Sequence, residues 1–150
     1  MKTLDMQFIR YANLFNKVTR IRTTHCFEYN NMIVFAVPRK FVGMAIGPDN
    51  SNLRRLSEIL KKKIKIVAIP NGKEDIENFV SVIVSPVKFK AIEIKNDIVT
   101  INAAIQSRAS LIGRNKVKLN EMQNILGQYF GIKKLLIRWG FIFLTYFLRQ

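Results

Sequence analysis

The stretch IGPDNSNLRRLSEIL (46–60) occurs again 66 residues later as IGRNKVKLNEMQNIL (112–126). Aligned, both copies begin with Ile-Gly, and their apolar residues then coincide at the spacing of one helical face. In the first copy these apolar residues are Leu53, Leu56, Ile59 and Leu60. The polar positions between them differ freely. Matching apolar positions with divergent polar ones predict two copies of one fold, in which a turn leads into a helix.

The similarity continues upstream at the same offset. NNMIVFAV (30–37) aligns with NDIVTINA (96–103), and each begins with a polar dipeptide that tolerates left-handed backbone. Each therefore predicts a β-hairpin. Around the hairpins, the patterns predict an opening helix (4–18 and 73–84), a first strand (21–29 and 88–95) and a closing strand (63–69 and 132–137).

The predicted order is helix, strand, strand, helix, turn, helix, strand, and it occurs twice. We expect an α+β fold of two packed units, each with a three-stranded sheet, over 1–70 and 71–138. The seam falls at the short linker Pro70-Asn71-Gly72. Residues 139–150 form an apolar C-terminal extension whose run GFIFLTYFL (140–148) is far shorter than the roughly 20 residues that span a membrane. We expect it either to pack on the body of the protein or to be poorly ordered.

The chain is strongly basic. Its 25 Lys and Arg residues against 10 Asp and Glu residues give a net charge of +15 over 150 residues. Such a surface attracts polyanions, which leaves nucleic acid, an anionic membrane or an acidic protein surface as partners.

Catalytic and metal-binding side chains are scarce. One cysteine, Cys26, and one histidine, His25, allow neither a disulfide within the chain nor a zinc ligand set. The sequence shows no recognisable set of a nucleophile, its general base and a residue that orients the base. We therefore expect a non-enzymatic protein without metal, cofactor or small-molecule substrate. The cysteine usage and the lack of a secretory signal predict a cytoplasmic location.

The repeated Ile-Gly turn between two helices beside a sheet resembles the KH domain in its type II topology. The tandem, over roughly residues 4–137, is similar to the archaeal NusA-like transcription factors. In KH domains a GXXG loop clamps the backbone of about four nucleotides. The resemblance implies an RNA-binding factor that acts on nascent single-stranded RNA at RNA polymerase, in transcription elongation, termination or antitermination.

Carried over to this sequence, the two loops follow Ile46 and Ile112. The first loop is Gly47-Pro48-Asp49-Asn50 and the second is Gly113-Arg114-Asn115-Lys116. Both lack the second glycine. Asn50 tolerates left-handed backbone, whereas Lys116 is a poorer substitute for geometry but adds a phosphate contact. Because Asp49 places a carboxylate where a phosphate would pass, we expect the second loop to be the better phosphate site.

Basic residues surround both loops. Residues 1–73 carry 14 basic and 4 acidic side chains, and residues 74–150 carry 11 and 6. The candidate RNA-binding cations outside the loops are Arg39, Lys40, Arg54, Arg55, Arg108 and Lys118.

Other interpretations remain open from the sequence. The chain could be a basic adapter that docks on RNA polymerase or the ribosome without clamping RNA, which Asp49 favours. A peripheral membrane protein would rest only on the apolar extension and the charge. The glycine turns could be ordinary helix connections with a C-cap glycine, and the arginines could lie on a solvated helix face.

Overall fold

A computed structural model describes residues 6–138 of the chain. The predicted start of the first helix at residue 4 and the apolar extension at 139–150 lie outside the described residues. Within the described residues, 6–71 form one compact unit and 72–138 form a second.

Each unit contains three helices and three strands. The first unit contains α1 (Met6–Thr19), β1 (Cys26–Tyr29), β2 (Met32–Val37), α2 (Val42–Ile46), α3 (Ser51–Leu60) and β3 (Lys63–Ala68). The second unit contains α4 (Ile76–Val84), β4 (Ala91–Lys95), β5 (Ile98–Asn102), α5 (Ile105–Ile112), α6 (Val117–Phe130) and β6 (Lys134–Arg138). The α+β class and the element order agree with the sequence analysis.

The two sheets have the same topology. In the first, β2 lies between an antiparallel β1 and a parallel β3; in the second, β5 lies between an antiparallel β4 and a parallel β6. The final strand of each unit is therefore an edge strand, and it follows the helix that the Ile-Gly turn begins.

The polar dipeptides form the predicted hairpin turns. Asn30 and Asn31 have φ of 52° and 60°, and Asn96 and Asp97 have φ of 50° and 64°. Two consecutive residues of positive φ match the twist of the flanking antiparallel strands. The prediction of left-handed backbone at these four residues is confirmed.

The core of the first unit lies between its helices and one face of its sheet. The rings of Phe15 on α1 and Phe35 on β2 stack at 4.5 Å, and Leu56 of α3 packs in the same cluster. All three side chains are completely buried. The spacing of apolar residues after the first turn thus marks the face that α3 turns toward the sheet.

The pattern is wrong at Ile59, whose side chain is 49% exposed, whereas its counterpart Ile125 is 4% exposed. The two residues differ in their distance from the end of the helix. α3 ends at Leu60, and Lys61 turns into the left-handed conformation with φ of 57°. α6 continues to Phe130, so Ile125 lies well inside its helix.

The first strand of each unit is shorter than predicted, since β1 begins at Cys26 and β4 at Ala91. Before β1, the Thr23 hydroxyl donates to the Ala36 carbonyl at 2.6 Å and accepts from the His25 N–H at 3.1 Å. The Thr23 hydroxyl therefore stands between the His25 N–H and the Ala36 carbonyl, whereas the Ala36 N–H still bonds directly to the His25 carbonyl at 3.0 Å.

Candidate nucleic-acid interface

The two Ile-Gly turns have nearly the same backbone. The first turn (47–50) joins α2 to α3, and the second turn (113–116) joins α5 to α6. Gly47 has φ 81° and ψ 164°, and Gly113 has φ 76° and ψ 172°. This region of backbone space is essentially restricted to glycine. The first glycine of each turn is therefore required by the backbone.

Side chains also pack closely against both glycines. A Cβ on Gly47 would lie 2.8 Å from Ser51 Oγ, and one on Gly113 would lie 2.9 Å from Lys118 Cγ. A methyl group at either site would therefore require side chains of the following helix to shift, Ser51 and Asn52 at Gly47 and Lys118 at Gly113.

The two turns share their backbone although neither ends in glycine. Asp49 and Asn50 have φ of 55° and 59°, and Asn115 and Lys116 have φ of 56° and 61°. The fourth residue donates its N–H to the carbonyl of the glycine in both turns, at 3.1 Å for Asn50 and 3.2 Å for Lys116. Lys116 therefore reproduces the geometry of Asn50, although left-handed backbone costs a non-glycine residue about 1 kcal/mol.

Replacement of the glycines should destabilise the protein. We expect Gly47→Ala and Gly113→Ala each to lower the free energy of unfolding by about 1–3 kcal/mol, since positive φ and a close contact act together. Gly43→Ala, four residues before Gly47 and inside α2 with open space around it, is the matched control and should raise stability by up to about 1 kcal/mol. Urea denaturation measures all three. Equal midpoints for Gly43→Ala and Gly47→Ala would contradict the stated role of Gly47.

Each turn leads directly into the next helix. The side chains of Asn50 and Lys116 make no capping bond to α3 or α6. The N–H of the first helical residue instead bonds back into the turn, from Ser51 to the Pro48 carbonyl and from Val117 to the Arg114 carbonyl. The helix dipole adds partial positive charge at both helix starts. Pro48, Asp49, Asn50, Arg114, Asn115 and Lys116 are all exposed. An anion can reach backbone N–H groups at both turns.

The candidate cations are distributed differently in the two units. In the first, Arg54 and Arg55 are exposed on α3, and Arg39 and Lys40 are exposed on a single turn of 3₁₀-helix before α2. The Lys40 Nζ lies 5.1 Å from the centre of the Phe41 ring. These cations flank the first turn in sequence but none is part of it.

In the second unit the cations belong to the turn itself. Arg114 and Lys116 are turn residues, and Lys118 follows on α6 with its aliphatic stem over Gly113. In the first turn Asp49 aligns with Asn115 of the second turn. On α3, Asn52 takes the place of Lys118. Asn52 Nδ2 donates to the Met44 carbonyl at 3.4 Å, which ties α3 to the end of α2.

Arg108 has a partner within its own unit. Its Nε donates to the Ile137 carbonyl on β6 at 3.1 Å, and the side chain is half-buried. Arg108 thus bridges α5 and the edge strand, where the sequence analysis had placed it among phosphate ligands.

Gln123 was not among the residues predicted from the sequence, yet it bonds to β6. Its Oε1 accepts from the Leu135 N–H on β6 at 3.0 Å. One feature of the sequence indicated this bond. Gln123 follows Met122 on a helix that packs toward the sheet, where a side-chain amide needs a hydrogen-bond partner.

The thiol of the single cysteine does not lie at the surface. Cys26 is buried on β1, and burial followed by the charge of Glu28 raises the pKa of its thiol to about 12. Among residues 6–138 no cluster of three potential metal ligands occurs, and no helix there is long and apolar enough to cross a membrane.

Native Cys26 should be inert to thiol reagents. Because the thiolate is the reactive form and a pKa near 12 leaves very little of it at pH 8, we expect disulfide exchange with Ellman's reagent to be at least about a hundredfold slower in the native protein than in denaturant. Comparison of the labelling rates in buffer and in guanidinium chloride tests this. Equal rates would show that β1 does not bury the thiol.

No family model matches the chain. A protein described as "Probable transcription termination protein NusA" from Methanococcus vannielii is 25% identical over 136 residues, covering 88% of this chain and 77% of its own length. Among solved structures, one titled "Crystal structure of APE1850" superposes with a TM-score of 0.61 and 26% identity over 90% of this chain and all of that one. Over most of its length, this chain is therefore a distant relative of an archaeal protein described as a probable NusA.

Proposed function

We propose that the chain is a non-enzymatic RNA-binding protein whose two units are KH domains of type II. Each unit would hold the backbone of single-stranded RNA at its Ile-Gly turn. The observation that carries the proposal is the turn pair: two exposed loops whose glycine and last two residues share backbone angles, each leading into a helix whose N-cap side chain makes no capping bond. Such a turn brings RNA phosphates close to main-chain N–H groups.

The relative described as a probable transcription termination protein supports a proposal for the biological role. We propose that this chain acts likewise in the cytoplasm on nascent RNA at RNA polymerase, in elongation, termination or antitermination. The excess of positive charge supports a polyanionic ligand.

Binding should depend steeply on salt. A 5′-labelled single-stranded RNA of about 12 nucleotides should bind the purified chain, and fluorescence anisotropy should show affinity falling between about 50 and 200 mM salt with a slope of roughly 0.7 per phosphate contact. A labelled polyanion of another kind, such as heparin, is the control for charge alone, and it should compete only weakly at about 200 mM salt. Absence of RNA binding at about 50 mM salt would overturn the proposed function.

A second candidate function is favoured by Asp49, whose exposed carboxylate lies in the first turn. A basic adapter could use the arginines of α3 on an acidic protein surface without clamping RNA. In that case RNA polymerase from an archaeon would bind the chain, and substitutions in the second turn would leave that binding unchanged. The RNA function requires those substitutions to weaken RNA binding.

A further inference from the structure

The first strand of the second unit is an exposed sheet edge. Within residues 6–138, β4 pairs with β5 alone, so alternate peptide groups point to its outer side. Every residue of β4 is exposed except Ile92, which is half-buried. The corresponding strand of the first unit is covered, since Cys26, Phe27 and Tyr29 of β1 are all buried. Only the second unit therefore presents its first strand to a partner.

A charge protects the edge of the first unit but not that of the second. Glu28 lies opposite Ile33, and Ile94, 66 residues later, lies opposite Val99. The Glu28 carboxylate accepts a hydrogen bond from the Lys62 ammonium group. A charge at such a position opposes the addition of another strand, because the new strand would remove the charge from water. Ile94 carries no charge, so this protection is missing from β4.

Ile94 also extends the apolar interior of its unit to the surface. Its partner Val99 is completely buried, and residues directly opposite each other share a face of the sheet. The side chain of Ile94 is nevertheless 38% exposed, because β4 is the last strand on this side. Another strand alongside β4 would cover it.

The charges of β4 fit a second copy of the same strand. Glu93 and Lys95 are exposed, and neither has an ion-pair partner among residues 6–138. When two copies of β4 pair antiparallel with Ile94 opposite Ile94, Glu93 of each copy lies opposite Lys95 of the other. A register centred on Glu93 or on Lys95 would place like charges opposite each other, and one centred on Ile92 would form no ion pair. The strand is thus self-complementary about Ile94.

We propose that the chain forms a homodimer in which two β4 strands pair antiparallel about Ile94 and join the sheets of two second units into one sheet of six strands. The dimer goes beyond the proposed RNA binding and does not depend on it, since neither turn belongs to β4. The contact is short, and two copies with a net charge of +15 each repel one another. The dimer is therefore of the weak, transient class.

Sedimentation equilibrium of the intact chain, freed of nucleic acid, tests the dimer. Measurements should run from about 10 μM to 1 mM protein at about 300 mM salt, which screens the repulsion between the copies. The mass should rise from that of one chain, 17.4 kDa, toward twice that value. A single-chain mass at every concentration would overturn the inference and leave the edge to a strand of another protein.

Ile94→Glu provides the edge of the second unit with the kind of charge that Glu28 carries in the first. It should weaken the association at least about tenfold. Because the side chain of Ile94 is partly exposed, the variant should remain folded, which circular dichroism checks. Undiminished association of the folded variant would show that the copies meet elsewhere.

Exchanges of charge test the register. Glu93→Lys and Lys95→Glu each place like charges opposite one another and should each weaken the association at least about tenfold. Lys95→Glu is the sharper of the two, because its lower net charge would by itself strengthen the association. Lys88→Glu makes the same change of net charge at an exposed residue before β4, and it should not weaken the dimer.

An equimolar mixture of the Glu93→Lys and Lys95→Glu chains should restore the dimer, since each lysine of one chain then faces a glutamate of the other. If Lys95→Glu associates as tightly as the parent chain, or if the mixture stays monomeric, the proposed pairing about Ile94 is wrong.

Discussion

Reversal of the two cations in the second turn, Arg114→Asp with Lys116→Asp, is expected to weaken binding of single-stranded RNA by at least about tenfold near 100 mM salt. Both side chains are exposed and belong to the turn that opens α6. Loss of two phosphate contacts should also lower the salt slope by about 1.4, at roughly 0.7 for each contact on a single strand. Fluorescence anisotropy at several salt concentrations measures both quantities.

The chain offers a control of equal charge. Lys88→Asp with Lys90→Asp changes the net charge by the same amount at two exposed residues before β4, outside either turn. We expect it to change affinity by less than about threefold, through the general field of the protein only. Equal losses in the two variants would mean that the second turn acts through net charge, and the clamp would be rejected for that unit.

Truncation of Phe35 is the second change with a large expected effect. Phe35→Ala should lower the free energy of unfolding by about 3–5 kcal/mol, the range for removal of a buried phenylalanine. The side chain is completely buried on the central strand and stacks on Phe15 at 4.5 Å, so the cavity would open beneath α1. A loss of this size is a large part of the stability of a small domain.

Ile59→Ala provides the comparison. The repeat pattern assigns Ile59 to the same apolar face as Leu56, yet its side chain is 49% exposed. Its truncation should cost no more than about 0.5 kcal/mol. Urea denaturation followed by circular dichroism distinguishes the two variants. A cost at Ile59 close to that at Phe35 would contradict the position of α3 described above.

The fold was largely predictable because its signals are local. The repeat located both turns, and the dipeptides Asn30-Asn31 and Asn96-Asp97 located both hairpins through a backbone preference carried by two adjacent residues. The errors arose where an element ends. The exposure of Ile59 depends on where α3 stops, and the late start of β1 depends on a hydroxyl of Thr23 that bonds across 13 residues of sequence.

The candidate interface was only partly predictable, for the same physical reason. Each turn is a local structure, and its position followed from Ile-Gly. The consequence of the lost glycine did not follow, since Lys116 adopts the left-handed backbone that the sequence analysis considered difficult for it. The partner of Arg108 lies 29 residues away on β6, and no spacing rule connects them. Contacts between a helix and an edge strand require the fold to be known first.

The most direct measurement of the central claim is photocrosslinking of the intact chain to single-stranded RNA that carries 4-thiouridine, with the crosslinked peptides identified by mass spectrometry. The account predicts crosslinks in the peptides that contain the first turn, 47–50, and the second turn, 113–116, and their loss at high salt. Crosslinks confined to peptides outside both turns would contradict it.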